Sequence, residues 1–155
     1  MHVAAWIGNL PLFQYFFSTA IDKEPKDSAG WTPLHVAARR GNLAICRFLL
    51  NCKVDENSKS GALGKTPLHL AASGGHSAVC KILIDNIEVD KNSTNFKGWT
   101  PLHHAAFFGY LDTCKVLIEG GVKRKQKTSW TRLTPLELAA RQENNEKVVN
   151  YLRNV

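Results

Sequence analysis

The chain has 155 residues, and its 20 Lys and Arg against 13 Asp and Glu give a formal net charge of +7. This length suits one domain, and a hydrophobic share of 44% is ordinary for a globular chain. The basic balance, with a pI of about 9.4, permits an acidic partner, although basic solvated surfaces are commoner than nucleic-acid sites.

Residues 3–20 are rich in apolar side chains, but Asn9, Pro11 and Gln14 interrupt them and no basic segment precedes them. Neither a signal peptide nor a membrane span is expected there. His2-Val3-Ala4-Ala5 and Gly8-Asn9-Leu10 return 33 residues later as His35-Val36-Ala37-Ala38 and Gly41-Asn42-Leu43. Thr-Pro-Leu-His follows at Thr32, Thr66 and Thr100, and Thr-Pro-Leu-Glu at Thr134, each 34 residues after the last. A fixed period of this size is the mark of a repeat array.

Within each repeat the Thr suits an N-cap and the Pro the first helical position. Leu and an Ala-Ala pair make a short helix with a small apolar face. Gly41, Gly75 and Gly109 end it in a tight reversal. A second helix carries apolar residues at helical spacing, as in Leu43, Cys46, Leu49 and Leu50, or Leu111, Cys114, Leu117 and Ile118. A polar, Gly-containing loop then leads to the next repeat. The last repeat departs from the plan. Glu143 replaces the Gly, Asn145 and Lys147 replace apolar residues, and only Val148, Tyr151 and Leu152 keep a core stripe. A capping repeat with a polar outer face is expected there. At the other end the chain opens inside a repeat, with Met1 where a Leu would sit and no Thr-Pro start. Two origins are consistent with this: a piece of a longer protein, or a natural start with a shortened first helix.

Gly98-Trp99-Thr100-Pro101-Leu102-His103-His104-Ala105-Ala106, closed by Gly109, resembles the ankyrin repeat, whose fingerprint is Gly-x-Thr-Pro-Leu-His-x-Ala-Ala-x-x-Gly. The resemblance covers nearly the whole chain. It implies an all-α fold, a solenoid of stacked helix-turn-helix units with β-hairpin-like finger loops. The expected organisation is one domain over residues 1–155, with repeats at about 1–26, 27–60, 61–94, 95–128 and 129–155. It also implies that His35, His69 and His103, with His2 in the same slot, tie neighbouring repeats together by hydrogen bonds. His76 falls on another common family position. His104 alone is off the pattern, and a surface position is expected for it.

No catalytic residue is expected, because no Ser elbow, His-Glu-x-x-His, Walker loop or dinucleotide Gly fingerprint is present. No metal site is expected, since Cys46, Cys52, Cys80 and Cys114 form no Cys-x-x-Cys pair, and no cofactor is expected. Three of these Cys share a repeat position, so buried free thiols in a reducing compartment, cytoplasmic or nuclear, are the expectation. Asn92-Ser93-Thr94 is read as a chance match to the glycosylation sequon.

Ankyrin arrays bind through finger tips and the exposed positions of the first helices. Those slots hold Trp6, Trp31, Arg39, Arg40, Lys65, Phe96, Lys97, Trp99, Phe107, Phe108, Trp130, Leu133 and Arg141. All four Trp of the chain are among them. Trp and Arg are enriched among residues that dominate binding energy, although a Trp before Thr-Pro also packs on its own finger. Lys123, Arg124, Lys125, Lys127 and Arg132 add a basic run without acids, read as a solvated loop or a dock for acidic residues. The leading expectation is a monomeric, non-catalytic module that binds another protein, carrying apolar and acidic residues, on this aromatic and basic face. Nucleotide or single-stranded RNA binding on that face is the alternative, nucleic acid being the less expected partner. A substrate-recruiting part of a larger enzyme or ubiquitin-ligase complex is the third. No membrane insertion is expected.

Overall fold

The structure, a computed structural model, describes all 155 residues. Ten helices succeed one another without a strand. They form five pairs: α1 (His2–Ile7) with α2 (Leu10–Thr19), α3 (Pro33–Arg40) with α4 (Leu43–Asn51), α5 (Pro67–Ser73) with α6 (Ser77–Asp85), α7 (Pro101–Phe107) with α8 (Leu111–Glu119), and α9 (Pro135–Ala140) with α10 (Glu146–Asn154). The first helices pack on one another in an inner row, α1 to α9, and the second helices in an outer row, α2 to α10. This is the expected solenoid.

The inner helices start where the sequence places their caps. The hydroxyl of Thr66 accepts from the backbone N–H of His69, and His69 Nδ1 accepts in return from the N–H of Thr66 at 3.2 Å. Thr32 with His35 and Thr100 with His103 repeat this reciprocal box, and Pro stands at the first turn of each. Glu137 serves in the last repeat, its carboxylate accepting from the N–H of Thr134 at 2.7 Å. Capping satisfies donors that a helix of six to eight residues could not satisfy within itself.

Small residues let the inner row pack closely. Ala37, Ala38, Ala71, Ala72, Ala105 and Ala106 are wholly buried. Leu34, Leu68 and Leu102 join Cys46, Cys80 and Cys114 and Leu49, Leu83 and Leu117 in one core running along the array. Gly75 shows why the reversal needs glycine. Its φ is +74°, and a Cβ there would meet the Tyr110 ring at 2.8 Å. All four Cys are free, and burial pushes the Cys46 and Cys114 thiols up to about 12. Cys52 departs from the expectation of a buried thiol. It lies outside the 34-residue column, at the C-terminal end of α4, and is exposed.

Each finger is a backbone-bonded turn rather than a pair of strands, and in the first three a second bond runs back, from the N–H of Gly30 to Asp27 O, of Gly64 to Ser60 O and of Gly98 to Asn95 O, at 2.9 Å. Asp27 N–H donates to Trp31 O, Ser60 to Lys65 O, Asn95 to Trp99 O and Thr128 to Leu133 O, at 2.9–3.0 Å. Single bonds also join finger to finger: Gly61 N–H to Ala29 O at 3.0 Å, Phe96 to Leu63 O at 3.1 Å and Ser129 to Lys97 O at 3.2 Å. The inner row and the finger row together frame the face that carries the candidate site. No helix is long and apolar enough to cross a membrane.

Candidate partner-binding face

The slot before each Thr cap is where the fixed and the variable parts of the repeat meet. Its carbonyl is taken by a histidine of the preceding repeat. His2 Nε2–H donates to Trp31 O at 2.7 Å, His35 to Lys65 O at 3.0 Å, His69 to Trp99 O at 2.8 Å and His103 to Leu133 O at 3.1 Å. In His35, His69 and His103 the other nitrogen accepts from a backbone N–H, which can only donate. The proton therefore sits on Nε2 and the ring is neutral. Burial, opposed by the bond to Trp99, pushes His69 down to about 4, and it holds His35 and His103 below the usual histidine range as well. The histidines thus fix the backbone at Trp31, Lys65, Trp99 and Leu133 and leave those side chains to vary.

Trp99 is half-buried at the centre of a run of rings. Its ring centroid lies 5.0 Å from His104, 5.3 Å from Phe107 and 6.4 Å from His103. Phe107 meets Phe108 edge-on at 5.1 Å, and Phe108 meets Tyr110 at 6.1 Å. These spacings are those of favourable aromatic pairs. Trp31 occupies a different place, on the wall between two grooves. The first groove, about 440 Å³, lies between α1 and the first finger and is lined by Val3, Trp6, Asp27 and Trp31. The second, about 390 Å³, lies between the second finger and the inner helices and is lined by Trp31, Arg39, Ser60, Leu63, Lys65 and Phe108. Arg40 is spent on Trp6, with its guanidinium 4.1 Å from that ring's centroid.

The cations of the second groove have no internal partner. The ion pairs of the molecule are Lys81–Asp85 at 2.9 Å and Lys115–Asp112 at 3.9 Å, both on the outer helices α6 and α8. Burial first, and then the like charges of Arg39 and Lys97, hold the Lys65 ammonium below the usual lysine range.

Several of the candidates from sequence therefore come together: Trp99, Phe107 and Phe108 in one run of rings, and Trp31, Arg39, Lys65 and Phe108 in one groove, with Lys97 near Lys65. Others stand apart. Phe96 is exposed and covers Gly64. Trp130, at the last finger tip, is 78% exposed. Leu133 and Arg141 lie in the last repeat, the latter at the end of α9. The basic run forms an open depression of about 520 Å³ at Lys123, Arg124, Lys125 and Gln126, with no apolar residue among them.

Two residues differ from what the sequence pattern implies. His104, expected at the surface, is 5% exposed. It occupies the slot that Val36, Leu70 and Leu138 fill with buried apolar side chains, a column visible at the 34-residue period. Burial, and then the charges of Lys65 and other nearby bases, push it down to about 2. Asn95 Nδ2 lies 3.4 Å from its Nε2, and its Nδ1 has no partner. Tyr110 belongs to the ring run although it lies outside the slots that the repeat pattern marks for binding. Its 34-residue column holds Asn42, His76 and Asn144, but the last reversal is one residue longer and Asn145, expected in an apolar column, takes the place before α10; there Asn145 Nδ2 donates to Ala106 O at 2.9 Å, as His76 Nε2–H donates to Arg39 O at 3.0 Å. An aromatic residue in a column of polar ones was the signal.

Comparison with known proteins agrees with this architecture. A family model for ankyrin repeats, described as three copies, matches residues 1–95 and 87–154. The chain is 34% identical over 58 residues to human protein phosphatase 1 regulatory subunit 27, covering 37% of this chain and 38% of that protein. It is 45% identical over 47 residues to human ankyrin repeat domain-containing protein 39, covering 30% and 26%. It is 39% identical over 62 residues to delta-latroinsectotoxin-Lt1a of Latrodectus tredecimguttatus, covering 39% and 5%. The matched segments are thus a minor part of each relative. With the capped inner helices, the histidine ties and a family match over almost its full length, the chain belongs to the ankyrin-repeat family.

Proposed function

We propose that residues 1–155 act as one non-catalytic binding unit. Another protein lies along the face framed by the fingers and the inner helices. The observation that carries this reading is the meeting of half-buried and exposed rings with unpaired cations on that face, around Trp31, Lys65, Trp99 and Phe108. Apolar burial against fixed rings supplies affinity, and charge complementarity supplies specificity and encounter rate. Ankyrin repeats generally mediate contacts between proteins, and similarity to a phosphatase regulatory subunit is in keeping with a recognition role. The buried, unbridged thiols fit a reducing compartment, cytoplasm or nucleus.

A protein fits this face better than single-stranded RNA. Base stacking needs free ring faces at intervals. Here Trp99, Phe107 and Phe108 pack against one another, and Arg40 covers Trp6. Replacing Trp99 and Phe107 together by Ala should weaken partner binding by tenfold or more, roughly the loss of one hot-spot residue, with urea midpoints measured beside it. Unchanged affinity in a folded variant would remove this face from consideration.

A further inference from the structure

We propose that the groove between the second finger and the inner helices reads a carboxylate. It takes an Asp or Glu side chain of an extended partner peptide between Arg39 and Lys65, and seats the neighbouring apolar residue against Trp31 and Phe108. This rests on the protein-binding reading above and adds the chemistry of the bound segment.

Four observations support it. First, Arg39 and Lys65 line the same groove and neither takes part in an ion pair. Second, the charges that act on the half-buried Lys65 ammonium are Arg39 and Lys97, both cationic. An arriving carboxylate relieves that repulsion as well as pairing with the ammonium, in surroundings drier than open solvent. Third, the placement is fixed. His35 holds the Lys65 carbonyl at 3.0 Å, and His76 holds that of Arg39 at 3.0 Å. The Ser60 hydroxyl oxygen accepts from Lys65 N–H at 3.1 Å and keeps its own proton to donate. Fourth, Trp31, Ala62, Leu63, Leu70 and Phe108 make the other walls apolar, apart from Ser73, whose hydroxyl proton goes to Leu70 O at 3.0 Å. The groove is therefore built for a charged group beside an apolar one, not for a polyanion. The adjoining groove at Trp6 contains Asp27 and neither Arg39 nor Lys65, so the acid belongs in the second groove and not the first.

The test is selection of a random-peptide phage-display library on the 155-residue protein. The expected binders carry Asp or Glu next to an aromatic or aliphatic residue. In the synthetic peptide, changing that acid to its amide should weaken binding about tenfold, the loss of one charge-assisted hydrogen bond. Arg39→Gln with Lys65→Gln should cause a similar loss and abolish the difference between acid and amide peptides. Both side chains reach solvent, and far-ultraviolet circular dichroism verifies the fold. The wild-type comparison of acid and amide peptides needs no variant at all. Equal affinity of the two peptides, or selection of basic or uncharged peptides, overturns the carboxylate pocket. If those binders still depend on Trp99 and Phe107, the protein-binding reading stands without it. Binders that tell neither acid from amide nor wild type from the Trp99→Ala, Phe107→Ala variant, or no binders at all, overturn both.

Discussion

Replacing His104 by Leu should make the protein more stable, and more so in mild acid. His104 is buried with Nδ1 unpartnered, in a slot where Leu70 and Leu138 stand in other repeats. An unsatisfied buried polar group costs roughly 1–3 kcal/mol, and a side chain already used in this slot returns much of that. The pH dependence follows from the proton. The folded pKa is held at about 2 against an ordinary 6.5. The unfolded chain therefore binds a proton that the folded chain refuses. Stability is full above about 6.5 and falls as pH drops towards the folded value. At about pH 5 the loss is about 2 kcal/mol for His104, and a similar amount for His69, whose folded value is about 4. His104→Leu removes the first of these. Its advantage over wild type in urea unfolding, followed by circular dichroism, should rise from roughly 1–3 kcal/mol near neutrality to roughly 3–5 kcal/mol at about pH 5. A variant less stable than wild type, or an advantage that does not grow on acidification, would refute the reasoning.

The tie from His69 to the Trp99 carbonyl should be among the most costly to lose. His69→Ala strands a buried N–H and a carbonyl and opens a cavity, and should cost about 3–5 kcal/mol in urea unfolding. Gly75→Ala combines a left-handed φ with contact against the Tyr110 ring, and should cost at least about 1–2 kcal/mol in the same assay. Thiol titration with a colorimetric disulfide reagent should label Cys52 rapidly in the native protein, and Cys46, Cys80 and Cys114 only on unfolding.

The fold was legible because one pattern, repeated at a fixed spacing, specifies it locally. Thr, Pro and His cap each inner helix, paired Ala residues set its close packing, and Gly reverses the chain. Each of these acts within a few residues of itself. What sequence order conceals is how side chains from different repeats meet. Phe108 of the fourth repeat reaches the groove of Arg39 and Lys65, from the second and third, although the three lie far apart in the chain. The burial of His104 follows from its column rather than its chemistry, since a slot that must face the neighbouring repeat buries whatever occupies it. Trp130, Leu133 and Arg141 share the slots of Phe96, Trp99 and Arg39, yet the position of the last repeat at the end of the stack sets them apart from the groove. Tyr110 shows the reverse case, an aromatic residue in a polar column that joins the ring run.

The four Trp of the chain are built-in reporters for the central claim. Their indole N–H signals can be followed by nitrogen-15 magnetic resonance as a selected acidic and apolar peptide is added. The account predicts that the signals of Trp31 and Trp99 shift together with the backbone amides of Arg39, Lys65, Phe107 and Phe108, while those of the outer helices α4, α6 and α8 stay in place. Shifts confined to the outer helices, with Trp31 and Trp99 unmoved, would contradict it.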